Sequence, residues 1–234
     1  MKLLAIDTST ERLSLAAQNG ERIATHQGVA GAQASAGLIQ AVLDVLKQAH
    51  LSLDSLQAIA FGRGPGAFTG LRTACSVSQG LALGLGIPLL PVDTLMCMAE
   101  ATRPEHKRVL AVLDARMGQV YHAAYERSTR GWTGLYPAQL SRPDELTWPS
   151  YWQSSSALLA GNAVTSLQAD LQHLLLPPHT SQELWPDACA MLRLAGAAWD
   201  RGDRVSAHDA APLYVRDEVA RTTVQRLADK LNRP

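Results

Sequence analysis

Residues 62–72 read Gly-Arg-Gly-Pro-Gly-Ala-Phe-Thr-Gly-Leu-Arg, and this run limits what the chain can fold into more than any other. Gly62, Gly64, Gly66 and Gly70 fall behind the apolar run Ala58–Phe61 and ahead of a helical pattern. Glycine lacks the Cβ that forbids sharp turns and close backbone approach, so such a run marks a place where another backbone or a ligand comes near. Opening a helix, it also points free N–H groups at that neighbour. Two familiar glycine loops are excluded. A P-loop requires Lys and then Ser or Thr after its last glycine, and here Leu71 and Arg72 follow Gly70. The dinucleotide fingerprint G-x-G-x-x-G fails on spacing, because successive glycines stand two, two and four positions apart.

Around the loop the patterns give a definite order of elements. Lys2–Asp7 reads as a buried strand rather than a signal peptide, and Arg12–Gln18 and Glu21–Gln27 read as a hairpin about Asn19-Gly20. Leu38, Val42, Val45, Leu46 and Ala49 keep helical spacing from about Ala34 to His50. Gln57–Phe61 is the strand entering the glycine loop, and Thr69 is placed to cap a helix running to Leu85. Leu89–Val92 reads as a strand, with Asp93 or Thr94 capping a short helix through Ala101. Three hairpin strands, then helix, strand, helix, strand and helix, is the order of an RNase H-like unit. The second half opens the same way, with Val109–Asp114 repeating Leu3–Asp7 and Gln119–Tyr125 standing where the second strand stood. The expected fold is therefore α/β: two tandem RNase H-like units with mixed sheets flanked by helices, as in the actin-like ATPases (the ASKHA superfamily). The expected bounds are 1–103 for the first unit, 104–216 for a degenerate second one, and 217–234 for a polar tail. The second unit becomes irregular after about Ser128. It ends in a helix from Asp187 to Arg201, with Met191, Leu192, Ala195 and Trp199 on one face.

Four segments carry a resemblance. They are Leu4-Ala5-Ile6-Asp7-Thr8-Ser9-Thr10-Glu11, the glycine run, Leu110–Gly118 and Pro212-Leu213-Tyr214-Val215-Arg216. Together they resemble the TsaB family, part of the machinery that makes threonylcarbamoyladenosine beside the tRNA anticodon. The resemblance implies a non-catalytic subunit that binds and activates a TsaD-like threonylcarbamoyltransferase paralogue. It also implies a TsaE-like P-loop ATPase at the shared surface, a homodimer when the chain is alone, a cytoplasmic location, and contact with tRNA only through the complex. The implied partner surface is the glycine loop with its flanking helices. From the loop come Gly62, Arg63, Gly64, Pro65 and Gly66; from the following helix Phe68, Thr69, Gly70, Arg72, Ala74 and Ser78; from the preceding helix Leu38 and Val42. Gly70, Ala74, Ser78 and Ala82 recur every four positions, a stripe that admits close approach either of a partner helix or of the chain's own sheet. Ala34-Ser35-Ala36 stands where the family usually has His followed by Ser/Thr-Gln.

Chemistry is harder to find. The 21 basic and 21 acidic residues cancel, and aromatics are 5% of the chain, so neither a basic face nor a stacking platform for nucleic acid is indicated. Cys75, Cys97 and Cys189 form no C-x-x-C and read as free thiols. The longest apolar stretch, Leu81–Leu90, is interrupted by Gly84, Gly86 and Pro88, so no membrane span is expected. No two histidines stand four apart, which removes the H-x-x-x-H metal pair; no metal site and no catalytic residue is expected. Asp7 with Thr8, Ser9 and Thr10 sits where actin-like enzymes orient magnesium and phosphate, and it reads equally as a capped hairpin turn. Gly161-Asn162 is the one glycine turn suited to an adenosine, so the nucleotide site is incomplete and no cofactor is expected. The alternative function, an independent ATP-binding phosphotransferase or ATPase, rests on Asp7 and the fold. A stand-alone peptidase lacks both the metal pair and a recognisable Ser/His arrangement.

Overall fold

The computed structural model describes residues 1–30 and 32–216, with side chains described outside 31–36. The first sheet has five strands: β1 (Lys2–Asp7), β2 (Arg12–Asn19), β3 (Arg22–Val29), β4 (Ala58–Gly64) and β5 (Leu89–Asp93). Their order is β3-β2-β1-β4-β5, antiparallel across β3, β2 and β1 and parallel from β1 through β4 to β5. The central β1 is buried on both faces from Leu3 to Asp7. A strand with no polar alternation needs cover on both sides, and that cover is helical. Leu4 and Ile6 pack with α1 (Ala32–Gln48) and α2 (Phe68–Leu85), while Leu3 and Ala5 pack with α5 (Ala188–Arg201).

Several local expectations shift by one or two residues. Asn19 pairs with Arg22, so the hairpin loop is Gly20-Glu21. Gly20 has φ 62° while Glu21 does not enter the left-handed region, the type II′ pattern suited to the strand twist. Helix α2 begins at Phe68 with Ala67 as N-cap, so Thr69 lies inside its first turn and does not cap it. The helix entry is fixed by backbone instead, the Ala67 N–H donating to the Ser9 carbonyl at 2.7 Å. Asp93 is the N-cap of α3 (Thr94–Glu100), but its carboxylate turns away to pair with Arg63. At α5 a side-chain cap does form, at a residue the sequence pattern places inside the helix: Asp187 is the N-cap and accepts from the Ala190 N–H.

The second sheet repeats the first. Its strands are β6 (Arg108–Arg116), β7 (Gln119–Ser128), β8 (Gly131–Gly134), β9 (Gln139–Ser141), β10 (Leu158–Ala160) and β11 (Thr180–Gln182). The path β8-β7-β6-β10-β11 has the same succession of antiparallel and parallel pairs as β3-β2-β1-β4-β5, with β9 added on β7. The chain thus consists of two mixed-sheet units of ASKHA type. The helices of the second are eroded: α4 (Ala163–Ser166) is a single turn where the first unit has the eighteen residues of α2. Trp148, Trp152, Leu171 and Leu174 fill the space with irregular chain.

The two units exchange helices, which corrects the expected bounds. Leu95, Met98 and Ala99 of α3, from the first half, pack on the second sheet. Helix α5, from the span expected in the second unit, packs on β1, β2, β4 and β5 of the first. Residues after α5 stay there: Val205 bridges Leu89, and the Ala207 and Ala210 carbonyls accept from Gln79. Hence the 104–216 span is no separate body. Each sheet leaves an apolar face that the other half's helix covers. The tail 217–234 lies outside the described residues.

Glu100 ties this exchange together. At the end of α3, its carboxylate accepts from Arg127 and Trp132 of the second sheet (3.1 and 2.8 Å) and from Arg193 of α5. Removing it strands a largely buried guanidinium and an indole N–H, so Glu100→Ala should lower stability by about 2 kcal/mol. Urea unfolding checks this, and Arg193→Ala, whose side chain is half exposed, should cost clearly less.

Candidate functional site

Where the two units meet, a cavity of about 430 Å³ opens. One wall is the turn after β1, Thr8–Glu11, with the first turns of α2 from Phe68 to Thr73. The facing wall is the end of β6 and its turn, Leu113–Met117, with Asn162. Leu213–Arg216 runs along the rim. Leu13, Leu38, Leu71, Leu113, Met117 and Tyr121 make the walls mostly apolar. The charged groups are paired across the opening: Arg116 reaches Glu11 of the other unit and its own neighbour Asp114, each at 3.4 Å. Asn162 Oδ1 accepts from the Asp114 N–H, which fixes the end of β6 at this wall.

The glycine run is now explained, and by packing inside the chain. A Cβ on Gly64 would stand 2.6 Å from the Leu213 carbonyl oxygen. Cβ atoms on Gly62, Gly66 and Gly70 would overlap Asp7 Oδ2, the Ser9 carbonyl and the Thr8 carbonyl more deeply still. The loop therefore lies flat on the turn 7–9, with the 213–216 strap on its other side, at a separation no side chain permits. The two arginines of the run anchor it. Arg63 pairs with Asp93, and its carbonyl accepts from the Leu213 N–H at 2.6 Å. Arg72 lies 3.7 Å over the Phe68 ring and donates to the Tyr214 hydroxyl at 3.1 Å.

Asp7 is correctly placed at the end of β1, but its carboxylate does not reach the cleft. It is 1% exposed. Oδ1 accepts from the Ser9 N–H and hydroxyl, while Oδ2 faces Gly62 and has no hydrogen-bond partner among the described residues. Burial pushes its pKa up to about 6, against the two Ser9 hydrogen bonds that pull it down. The hydroxyls beside it are engaged too, Thr8 Oγ1 donating to the Gly70 carbonyl and Thr10 Oγ1 accepting from the Arg12 N–H. The orphaned Oδ2 aims into the packed interior, so these residues do not fit the magnesium–phosphate role of an actin-like ATPase. Among the described residues no group of three His, Cys, Asp or Glu is placed to hold a metal ion. Cys75, Cys97 and Cys189 are free thiols, the first two buried.

For the expected partner surface the structure sorts the residues sharply. Leu38, Val42, Ala74 and Ser78 are buried in the chain's own core, beneath α1 and α2, which corrects their assignment to a surface. The stripe Gly70, Ala74, Ser78 and Ala82 is the line along which α2 meets its own sheet. Gly62, Gly64 and Pro65 are buried, and Arg63, Gly66, Phe68 and Gly70 are half-buried; Thr69 and Arg72 are exposed. Ala34-Ser35-Ala36 lies among the residues whose side chains are not described. What sequence reasoning missed is the opposite face of the same helices. Ile39 and Leu43 of α1 are 44% and 41% exposed, and Leu83 of α2 is 78% exposed, with Ser76, Gly80 and Gly84 exposed beside it. The i, i+4 spacing of Ile39 and Leu43 could have shown it. It was masked by the stronger stripe through Leu38, Val42 and Leu46.

A Ser/His pair that spacing could not reveal also appears: His122 Nε2 lies 3.0 Å from Ser141 Oγ. Alternation along β7 turns Tyr121 to the cleft side and His122 to the other face. The imidazole Nδ1 is buried without a partner, and burial holds its pKa down. Among the described residues no carboxylate stands behind it, so there the pair has no orienting third member of a hydrolytic triad.

With the geometry in place, comparison with known proteins is specific. Residues 20–174 match the family model described as TsaD, tRNA N6-adenosine threonylcarbamoyltransferase. The Escherichia coli tRNA threonylcarbamoyladenosine biosynthesis protein TsaB is 35% identical over 94% of this chain and 96% of its own. The protein of that name from Haemophilus influenzae is 32% identical over 94% and 95%. A crystal structure from Pseudomonas aeruginosa, of an uncharacterized protein described as similar to the peptidase YeaZ, superposes with a TM-score of 0.84. It shares 35% identity and covers 92% of this chain and 99% of its own.

Proposed function

This chain belongs to the TsaB family of tRNA threonylcarbamoyladenosine biosynthesis proteins, and we propose that it is the non-catalytic subunit that binds and activates a TsaD-like threonylcarbamoyltransferase. The observation that carries this reading is the outer face of α1 and α2. Ile39, Leu43 and Leu83 stand exposed around small residues that let another helix come close. Thr69 and Arg72 extend that face toward the glycine loop. The loop itself is packed against the 7–9 turn and the strap, so its role is to hold α2 in position rather than to touch the partner with its glycines. Supporting a subunit without its own chemistry, the Asp7 carboxylate is walled off from the cleft and His122 has no third member among the described residues. In this reading the same face joins two copies when the chain is alone, a TsaE-like P-loop ATPase docks on the assembled pair, tRNA is met only through the complex, and the protein works in the cytoplasm. No described helix is long and apolar enough to cross a membrane.

The test is light scattering on a sizing column, with the chain mixed with the TsaD-like protein of its own organism. Co-elution is expected, and Leu83→Asp or Ile39→Asp should weaken it at least tenfold, about 1.4 kcal/mol, while circular dichroism and unfolding stay unchanged. Tight binding by both folded variants would remove this surface assignment. Two separate peaks for the unmodified pair would remove the subunit reading itself.

A further inference from the structure

The 21 cations and 21 carboxylates of the chain cancel overall, but they are not evenly spread. The start of β6 and the end of β7 lie side by side, the Arg127 N–H donating to the Lys107 carbonyl at 2.8 Å. To this end of the second sheet come the turn after α3, the β7–β8 hairpin with Arg130 in its loop, and Arg193 from α5. It gathers Arg103, Lys107, Arg108, Arg127, Arg130 and Arg193 against Glu100, Glu105 and Glu126, six cations to three carboxylates. Glu126 takes Arg108 at 3.1 Å, Glu105 stands 4.0 Å from Arg103, and Glu100 is shared by Arg127 and Arg193. The excess is therefore Lys107, Arg130 and one of the two guanidiniums on Glu100. Lys107 and Arg130 are exposed, and neither has an ion-pair partner among the described residues.

We propose that this end of the second sheet is a phosphate-contacting surface, which lays Lys107 and Arg130 against the backbone of the tRNA held by the assembled pair; the proposal rests on the subunit reading above. Lys107 lies across from Arg127, and like charges opposed on neighbouring strands cost stability unless an anion is near. A nucleic-acid backbone supplies that anion and gains by releasing its own counterions. So small an excess is too weak to hold tRNA alone at physiological salt, so the contact adds to the grip of the transferase. Phosphate contacts carry no sequence information, which suits a subunit that positions the tRNA and leaves the choice of adenosine to its partner. The surface also stays open in the complex. It is built on β6, β7 and β8, whereas α1 and α2, whose outer face takes the partner, pack on the first sheet. Arg108 stands about 20 Å along β6 from Asp114 at the cavity, so the surface is separate from the cleft.

Fluorescence anisotropy of a labelled, unmodified tRNA transcript, titrated with the co-eluting pair at several salt concentrations, tests this. Lys107→Gln combined with Arg130→Gln should weaken binding about tenfold and make the fall of log affinity with log salt shallower by about 1.5. Lys2→Gln combined with Arg22→Gln, which removes two exposed cations from the first sheet, should leave affinity and slope unchanged. Both double variants should still co-elute with the TsaD-like protein. Equal affinity and slope for the unmodified pair and the Lys107 and Arg130 variant would overturn the proposal and leave the subunit reading standing. An equal loss in both double variants would also overturn it, because net charge rather than this surface would then be acting. Failure of the unmodified chain to co-elute would instead remove the subunit reading, and this surface with it.

Discussion

Gly70→Ala is expected to lower the stability of this protein by about 3 kcal/mol, although it exchanges the poorest ordinary helix former for the best. The reason is geometric. The new Cβ would fall inside the van der Waals shell of the Thr8 carbonyl oxygen, which is backbone and cannot rotate away. Thr8 Oγ1 also donates to the Gly70 carbonyl at 2.7 Å, so separating the two segments breaks a bond as well as relieving a clash. Separation would propagate, because the Ala67 N–H to Ser9 carbonyl bond and the strap over Gly64 belong to the same stack. Gly80→Ala in the same helix provides the contrast. Nothing lies within 4 Å of its Cβ position, so propensity alone acts there and should raise stability by about 0.5–1 kcal/mol. Urea midpoints at constant slope measure both. A loss at Gly70 below about 1 kcal/mol would mean that the turn and helix are not held at the described separation.

The same stack shows how far sequence reasoning carried and where it stopped. Glycines at 62, 64, 66 and 70 correctly announced a close approach, because only the absence of Cβ is encoded there. What approaches is not encoded, and it proved to be residues 7–9 and 213 of the chain itself. Small residues mislead in the same way. Ala74 and Ser78 mark a tight contact, and spacing cannot say whether a partner helix or the chain's own sheet stands across it. Strand β1, the first hairpin, α5 and the duplication were legible because each rests on local periodicity. The exchange of α3 and α5 was not, since an apolar face states that it is covered without naming the element that covers it. In the second unit the core residues Trp148, Trp152 and Leu171 sit in irregular chain with no period to read. For Asp7 the sequence left two roles open, and the Ser9 N–H and hydroxyl bonds to its Oδ1 are those of the capped turn. A strand-end carboxylate beside three hydroxyls looks the same in sequence whether it faces a cleft or a glycine.

That inward orientation makes Asp7 a source of pH dependence. Burial removes the carboxylate from water, and its Oδ2 receives no hydrogen bond from the described residues in return, so the folded chain holds the proton up to about 6 where the unfolded chain releases it near 3.8. Between those values the folded state carries more protons than the unfolded one, and stability must fall as pH rises. The contribution is fully present below 3.8 and gone above about 6, a difference of about 3 kcal/mol. Asp7→Asn keeps an oxygen to accept from Ser9 and carries no charge at any of these pH values. Unfolding free energies of the two proteins, subtracted at each pH from 4 to 8, cancel every other titrating group. The variant should gain on the unmodified chain by about 2.4 kcal/mol as pH rises from 4 to 7, and the difference should then level off. A difference that stays flat across that range would place the Asp7 carboxylate in water. The cleft would then regain the charged group that the packed orientation takes from it, and the independent ATPase would again be the reading to test.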